Sequence, residues 1–276
     1  MDATAGQLHS GWRVERRFSS LAERTVSLLE DAGDSIARHL WDGSQVLMQF
    51  IDQVINLRLE GSPLPLLEYV LVSATYRRLN VLELGCGCGS VGISLAQSIP
   101  DCDVVLTDLP EVTELVQANI ARMSPAISSH VAFEPLDWLQ PLTGKLQSRA
   151  HDLIIVSECT YNTDTLAPLV DTLVTLLARS PKAVVVLATK TRHASEAVVF
   201  ELLEKAGIIL EGSTRLALPG EPGTGYGDAA SDVGVHVLHG REHRLSLTPR
   251  GSDEVVPKVG RRNRTRSNEV SRSQGL

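Results

Sequence analysis

Twelve residues, V-L-E-L-G-C-G-C-G-S-V-G from Val81 to Gly92, constrain this chain more than any other stretch. An apolar run, Leu79–Leu84, stops abruptly at Gly85, and helix-forming residues continue to about Ser98. A short apolar run closed by turn residues reads as a buried strand. Glycines at its mouth let the backbone approach a ligand, and the helix that follows offers free N–H groups. The segment therefore reads as one strand–loop–helix unit of a parallel sheet with a ligand at the strand's carboxyl end.

The rest of the chain repeats that grammar. Val104–Thr107, His130–Phe133, Leu153–Val156 and Ala183–Ala188 read as further strands. Between them, helical spacing appears at Val112, Leu115, Val116 and Ile120, and again at Leu166, Leu169, Val170, Leu173, Leu176 and Leu177. Strands alternating with helices mean a parallel sheet covered on both faces. Ile208–Leu210 and Val235–Leu238 follow without a helix between them, which predicts an antiparallel hairpin at one edge. The connection, Glu211 to Asp232, is rich in glycine and proline and carries Tyr226 and several acids. Upstream, Ser35–Ile55 reads as helix, and Gly61, Pro63 and Pro65 interrupt the chain before the next one. The expected organisation is an N-terminal helical extension (1–78), an α/β core (79–245) and a basic tail (246–276).

Composition excludes several classes. Hydrophobic residues make up 43% and charged residues 21%, as in ordinary globular proteins. The longest apolar run, Ala183–Ala188, is far short of the roughly 20 residues that span a bilayer. Four cysteines give no repeated CxxC spacing and no disulfide framework. The N-terminus has no apolar core of a signal peptide, so a soluble, intracellular monomer without membrane contact is expected. The net charge of −7 is uneven: residues 255–276 carry +5, leaving −12 on the remainder. An acidic body repels a phosphate backbone and suits a basic partner. Nucleic-acid contact is not expected of the core; in the tail, KVGRRNRTR reads as a solvated segment ahead of a nuclear-localisation or nucleic-acid patch, and cytoplasm, with the nucleus second, is the expected compartment.

Two cofactors compete for the glycine loop. Gly87, Gly89 and Gly92 spell GxGxxG, the dinucleotide fingerprint, but start three residues past the strand's last leucine. Glu83, Gly85, Gly87 and Gly89 spell the E-x-G-x-G-x-G loop of S-adenosylmethionine enzymes. A buried carboxylate needs a partner. The methionine ammonium would supply one to Glu83, whereas a pyrophosphate would be repelled. Asp108, ending the second strand, suits ribose hydroxyls or else caps the helix near Pro110. Trp138 suits an adenine ring or the core.

LWDGSQVL (Leu40–Leu47), VLELGCGCGSVGI (Val81–Ile93), VVLTDLPE (Val104–Glu111), LDW (Leu136–Trp138) and LIIVSECTYNTDTLAPLVDTL (Leu153–Leu173) together resemble methyltransferase family 16, the non-SET, seven-β-strand protein lysine methyltransferases. The resemblance implies a class I Rossmann-like fold and S-adenosylmethionine as cofactor. It implies that Trp41, Gly85, Cys86, Gly87, Asp108, Trp138 and Ser157 line the cofactor site. Glu158 and Tyr161, from the family's D/E-x-x-Y/F motif, would face a lysine presented by a protein substrate. This chain departs in having Glu at the motif acid, Ser157 where Ala is frequent, and the basic tail.

Methyl transfer needs a neutral amine, and Glu158 as an anion would raise a lysine's pKa rather than lower it. The expected role of Glu158 is therefore to recruit and orient the ammonium, with Tyr161 as an aromatic wall. Ser157–Tyr161 lacks the prolines of N/D-P-P-Y enzymes. A small-molecule N-methyltransferase and a non-catalytic S-adenosylmethionine-binding scaffold remain alternatives. Cys86 and Cys88, and His236, His239 and His243, read as structural rather than as metal ligands.

Overall fold

A computed structural model of the protein describes residues 12–19, 25–31, 35–57, 62–99, 101–123, 129–190, 197–216 and 233–243. The chain divides into two units, Met1–Arg244 and Leu245–Leu276. The second holds the whole basic tail (246–276) and lies outside the described residues.

The seven predicted strands all form, as β3 (Leu79–Leu84), β4 (Cys102–Asp108), β5 (His130–Pro135), β6 (Leu153–Ser157), β7 (Val184–Thr189), β8 (Ile208–Leu216) and β9 (Val233–Gly240). They make one sheet in the order β5-β4-β3-β6-β7-β9-β8. The first five strands pair in parallel, and β9 inserts antiparallel between β7 and β8. β8 runs to Leu216, six residues further than its apolar start suggests, because its middle is an exposed edge that needs no apolar run.

From β3 the chain winds outward through β4 to β5, then returns to place β6 on the other side of β3. Neighbouring strands whose connections leave in opposite directions open a crevice at their carboxyl ends. The glycine loop after β3 and the Ser157–Tyr161 segment after β6 both emerge there.

Helices α3 (Ser90–Ser98) and α6 (Leu166–Arg179) show why these sequences pack as they do. A Cβ on Gly92 would run into the Leu106 side chain, so the missing side chain lets α3 lie close against β4. Leu166, Leu169, Leu173 and Leu176 of α6 are 1–3% exposed and join Leu82, Ile154 and Val185 of the sheet in one apolar cluster. Burying each such leucine contributes about 1.5–3 kcal/mol. Leu173→Ala would cost about 2–5 kcal/mol.

The N-terminal extension is helical only in part. Its first described elements are β1 (Trp12–Ser19) and, antiparallel to it, β2 (Thr25–Asp31), a hairpin in which Val26 and Leu28 are buried at strand spacing. The expected long helix from Ser35 is broken. A 3-10 turn at Ile36–Arg38 is followed by extended backbone at His39, and α1 spans Asp42–Leu57. The Trp41 indole N–H donates to Ile36 O at 2.9 Å, folding this break back on itself. Helix α2 (Pro65–Ser73) follows the predicted proline interruption.

Candidate active site

A cavity of about 520 Å3 opens at the β3/β6 crevice. One wall is the loop after β3. Gly85 and Gly87 sit at φ +65° and +56°, where an L side chain is strained, and a Cβ on Gly87 would lie 2.8 Å from Ala37 O. Gly85 has no room either, facing Cys159 Sγ and, at 3.2 Å, the Trp138 ring.

Asp108 fixes that loop. Its Oδ2 accepts the Gly87 N–H at 2.7 Å and its Oδ1 the Leu109 N–H at 2.8 Å. Burial pushes its carboxyl upward, and the two N–H donors oppose the shift. A carboxylate has about four acceptor sites, so two stay available toward the cavity for hydroxyl donors. The helix near Pro110, the 3-10 turn Pro110–Val112, has no side-chain cap from its N-cap residue Leu109.

The N-terminal extension adds Ser35, Ile36, Ala37, His39 and Trp41 to the lining, with Ala37 and His39 packed beside Gly87. Arg38 anchors this strip, pairing with Asp31 at 2.9 Å and donating to Glu111 O at 2.7 Å. Asn119, on α4 (Thr113–Ala121), ties the hairpin to the glycine loop. Its side chain accepts Leu29 N–H at 2.7 Å and donates to Leu29 O at 3.0 Å and Cys88 O at 2.8 Å.

The floor comes from β6 and the start of α1. Glu158 is 7% exposed, has φ +57°, and donates its backbone N–H to Ala188 O at 2.8 Å. Its Oε1 accepts the Gly43 N–H at 2.8 Å. Beside it the Ser44 and Ser157 hydroxyls share a hydrogen bond of 3.1 Å. Tyr161 is half-exposed at the rim, and burial of its inner side raises the phenol pKa.

Nine of the ten residues expected at the site therefore meet: Trp41, Gly85, Cys86, Gly87, Asp108, Trp138, Ser157, Glu158 and Tyr161 all line the cavity. Glu83 does not. It is 1% exposed, its Oε2 accepts the Gly92 N–H at 2.8 Å, and burial pushes its carboxyl up to about 8. Its partner is the backbone of α3, so it binds helix to strand beneath the loop. Gly43 and Ser44 were missed as functional positions; the only signal was their place in LWDGSQVL.

The carboxyl groups of Asp108, Glu111, Asp137 and Glu158 line the cavity, and no Lys or Arg does so among the described residues. Such a lining repels a pyrophosphate and suits a ligand carrying sulfonium and ammonium charges. The buried Trp138 indole N–H has no hydrogen-bond partner among the described residues, and its ring faces the same space. The residues present fit S-adenosylmethionine, not a dinucleotide.

The family model described as lysine methyltransferase matches residues 20–206. The chain belongs to that family. A UPF0665 family protein of Schizosaccharomyces pombe, C23C4.06c, is 32% identical over 168 residues, 61% of this chain and 46% of that protein. The protein-lysine N-methyltransferase rrg1 of the same yeast is 37% identical over 92 residues, covering 31% of this chain and 30% of its own length. The protein-lysine N-methyltransferase EFM2 of Saccharomyces cerevisiae is 25% identical over 182 residues, 62% of this chain and 42% of that one. The chain thus aligns with less than half the length of these relatives.

No helix among the described residues is long and apolar enough to cross a membrane. Among those residues no cluster of His, Cys, Asp and Glu is arranged to hold a metal ion. His236 packs edge-on against Phe200, and His239 packs against His243. Most of the Glu211–Asp232 connection, from residue 217 on, lies outside the described residues. Its two ends are placed by β8 and β9 at the sheet edge nearest β7.

Proposed function

We propose that this protein methylates a lysine side chain of another protein. The observation that carries the reading is the Glu158 carboxylate, buried at the cavity floor and held there by the Gly43 N–H. When bound, S-adenosylmethionine supplies an electrophilic methyl group on a positively charged sulfur.

The chain's own task is to bring a neutral amine in line with that carbon. A free lysine of pKa about 10.4 is neutral in about one molecule in 2,500 at pH 7, a penalty of roughly 4.6 kcal/mol. Glu158 attracts and orients the ammonium, and the half-exposed Tyr161 ring walls the amine from bulk water. A sulfonium bound beside the amine would disfavour its ammonium form, whose proton would leave to water, so that the neutral nitrogen would face the methyl carbon. Most of the acceleration comes from alignment. Two of the relatives carry protein-lysine N-methyltransferase names, which supports the choice of substrate class.

The test is transfer of radiolabelled methyl from S-adenosylmethionine into extract of cells lacking the protein, with labelled bands identified by mass spectrometry. Glu158→Gln should nearly abolish labelling while leaving cofactor affinity within about twofold. Label appearing only in small molecules, or undiminished labelling by the variant, would overturn the proposal.

A further inference from the structure

The first three residues of α1 grip the ends of two neighbouring strands, β6 and β7. Asp42 Oδ2 pairs with Lys190 Nζ at 2.8 Å, with side chains 4% and 5% exposed. The Gly43 N–H meets Glu158, and the Ser44 hydroxyl meets Ser157. Lys190 follows directly on β7, two residues past Ala188, whose carbonyl accepts the Glu158 backbone N–H. The Thr160 and Thr189 hydroxyls close the same seam at 2.6 Å. A ring results: Glu158 to β7, β7 through Lys190 to Asp42, and Gly43 back to Glu158.

Neither Asp42 nor Lys190 lines the cavity. A buried ion pair is seldom more stabilising than an apolar pair of the same volume, because both ions must leave water. What such a pair does impose is register, since each charge tolerates few positions for its partner. Here the register set is that of the α1 N-terminus over the β6 and β7 ends. A glutamate side chain left unanchored has several rotamers; one bonded to a fixed N–H has one.

We infer that Asp42 and Lys190 are a positioning pair, which locks the start of α1 so that the Gly43 N–H holds the Glu158 carboxylate toward the incoming amine. The inference rests on the role given to Glu158 above. It extends the site to two residues that touch neither cofactor nor substrate.

The test uses the full-length protein, tritiated S-adenosylmethionine and extract of cells lacking the protein as methyl acceptor. Lys190→Met should lower labelling at saturating cofactor at least tenfold, with the KM for S-adenosylmethionine within about twofold. Lys190→Arg, which keeps the ion pair, should restore at least a third of the wild-type rate. Combined with Glu158→Asp, which keeps the charge but shortens the reach, Lys190→Met should add no more than a further twofold loss. Val54→Ala, a core change elsewhere on α1, should lower the melting temperature without a comparable loss of rate. Where Lys190→Met does not fold, Asp42→Asn is read by the same criteria. Undiminished labelling by Lys190→Met, or losses that multiply with those of Glu158→Asp, would overturn the inference while leaving Glu158 in place. Full activity of Glu158→Gln would overturn both readings together.

Discussion

The Gly43 N–H and the Glu158 carboxylate lie 2.8 Å apart across 115 positions of sequence. Gly43 is in the first turn of α1, where unpaired N–H groups and the helix dipole favour a negative charge. A Cβ at residue 43 would occupy the space of the carboxylate itself. Gly43→Ala is therefore expected to push Glu158 aside and lower protein methylation at least tenfold. Alanine favours the helix, so the melting temperature should stay within a few degrees of wild type. Activity assays beside thermal melts check this, and wild-type rates in the variant would release Glu158 from its assigned anchor.

Asp108 is expected to govern cofactor affinity. Asp108→Ala removes both the acceptor facing the cavity and the bond to Gly87. Each charge-assisted hydrogen bond contributes about 1.5–3 kcal/mol, so affinity for S-adenosylmethionine should fall at least tenfold. Titration calorimetry reads the change directly. Equal affinities would remove Asp108 from the site, and tight NAD binding would reverse the choice of cofactor.

Glu83 gives the ligand-free protein a pH dependence of definite sign. Its folded pKa of about 8 lies above the ordinary 4.5, so the folded state holds a proton that the unfolded chain releases. Stability from this group is complete below about pH 4.5 and is lost as pH rises through 8. Glu83→Gln keeps an acceptor for the Gly92 N–H and removes the titration. Its melting temperature should fall less than that of wild type between pH 5 and 8.5. Parallel curves for the two proteins would place an ionised carboxylate in the fold.

His151 acts in the opposite direction. It is 4% exposed, both ring nitrogens lack partners among the described residues, and burial, aided by Arg149, holds its pKa near 4. Between about pH 6.5 and 4 the unfolded chain binds a proton that the folded one refuses, so stability falls as pH falls. His151→Leu should flatten that limb of the pH–stability curve, as followed by denaturant titration.

Most of the sheet was legible because its central strands β3, β4, β6 and β7 are buried on both faces. Runs such as Leu153–Val156 need no partner to be recognised, and Asp108 and Gly85 mark their ends. The site's lining was legible where one segment supplies both the motif and the contact. Contacts between segments were not. Nothing near Glu83 says that its partner is an N–H nine residues ahead, since a buried carboxylate meets its need equally well with a ligand or a helix. Gly43 and Ser44 look like ordinary residues at a helix start until the fold brings Glu158 and Ser157 over them. The hairpin was missed because Val26 and Leu28 are too few to signal a strand alone.

Asn119 carries a consequence for where this chain can be cut. Its one side chain holds both Leu29 and Cys88, so the shape of the glycine loop depends on a strand that precedes the Rossmann core. A fragment begun at Leu79 would retain every strand of the large sheet and still lack Ser35, Ile36, Ala37, His39, Trp41 and Ser44 of the cavity lining. Deleting the chain through His39 would thus remove the Leu29 partner of Asn119 and the Ser35–His39 part of the cavity lining together.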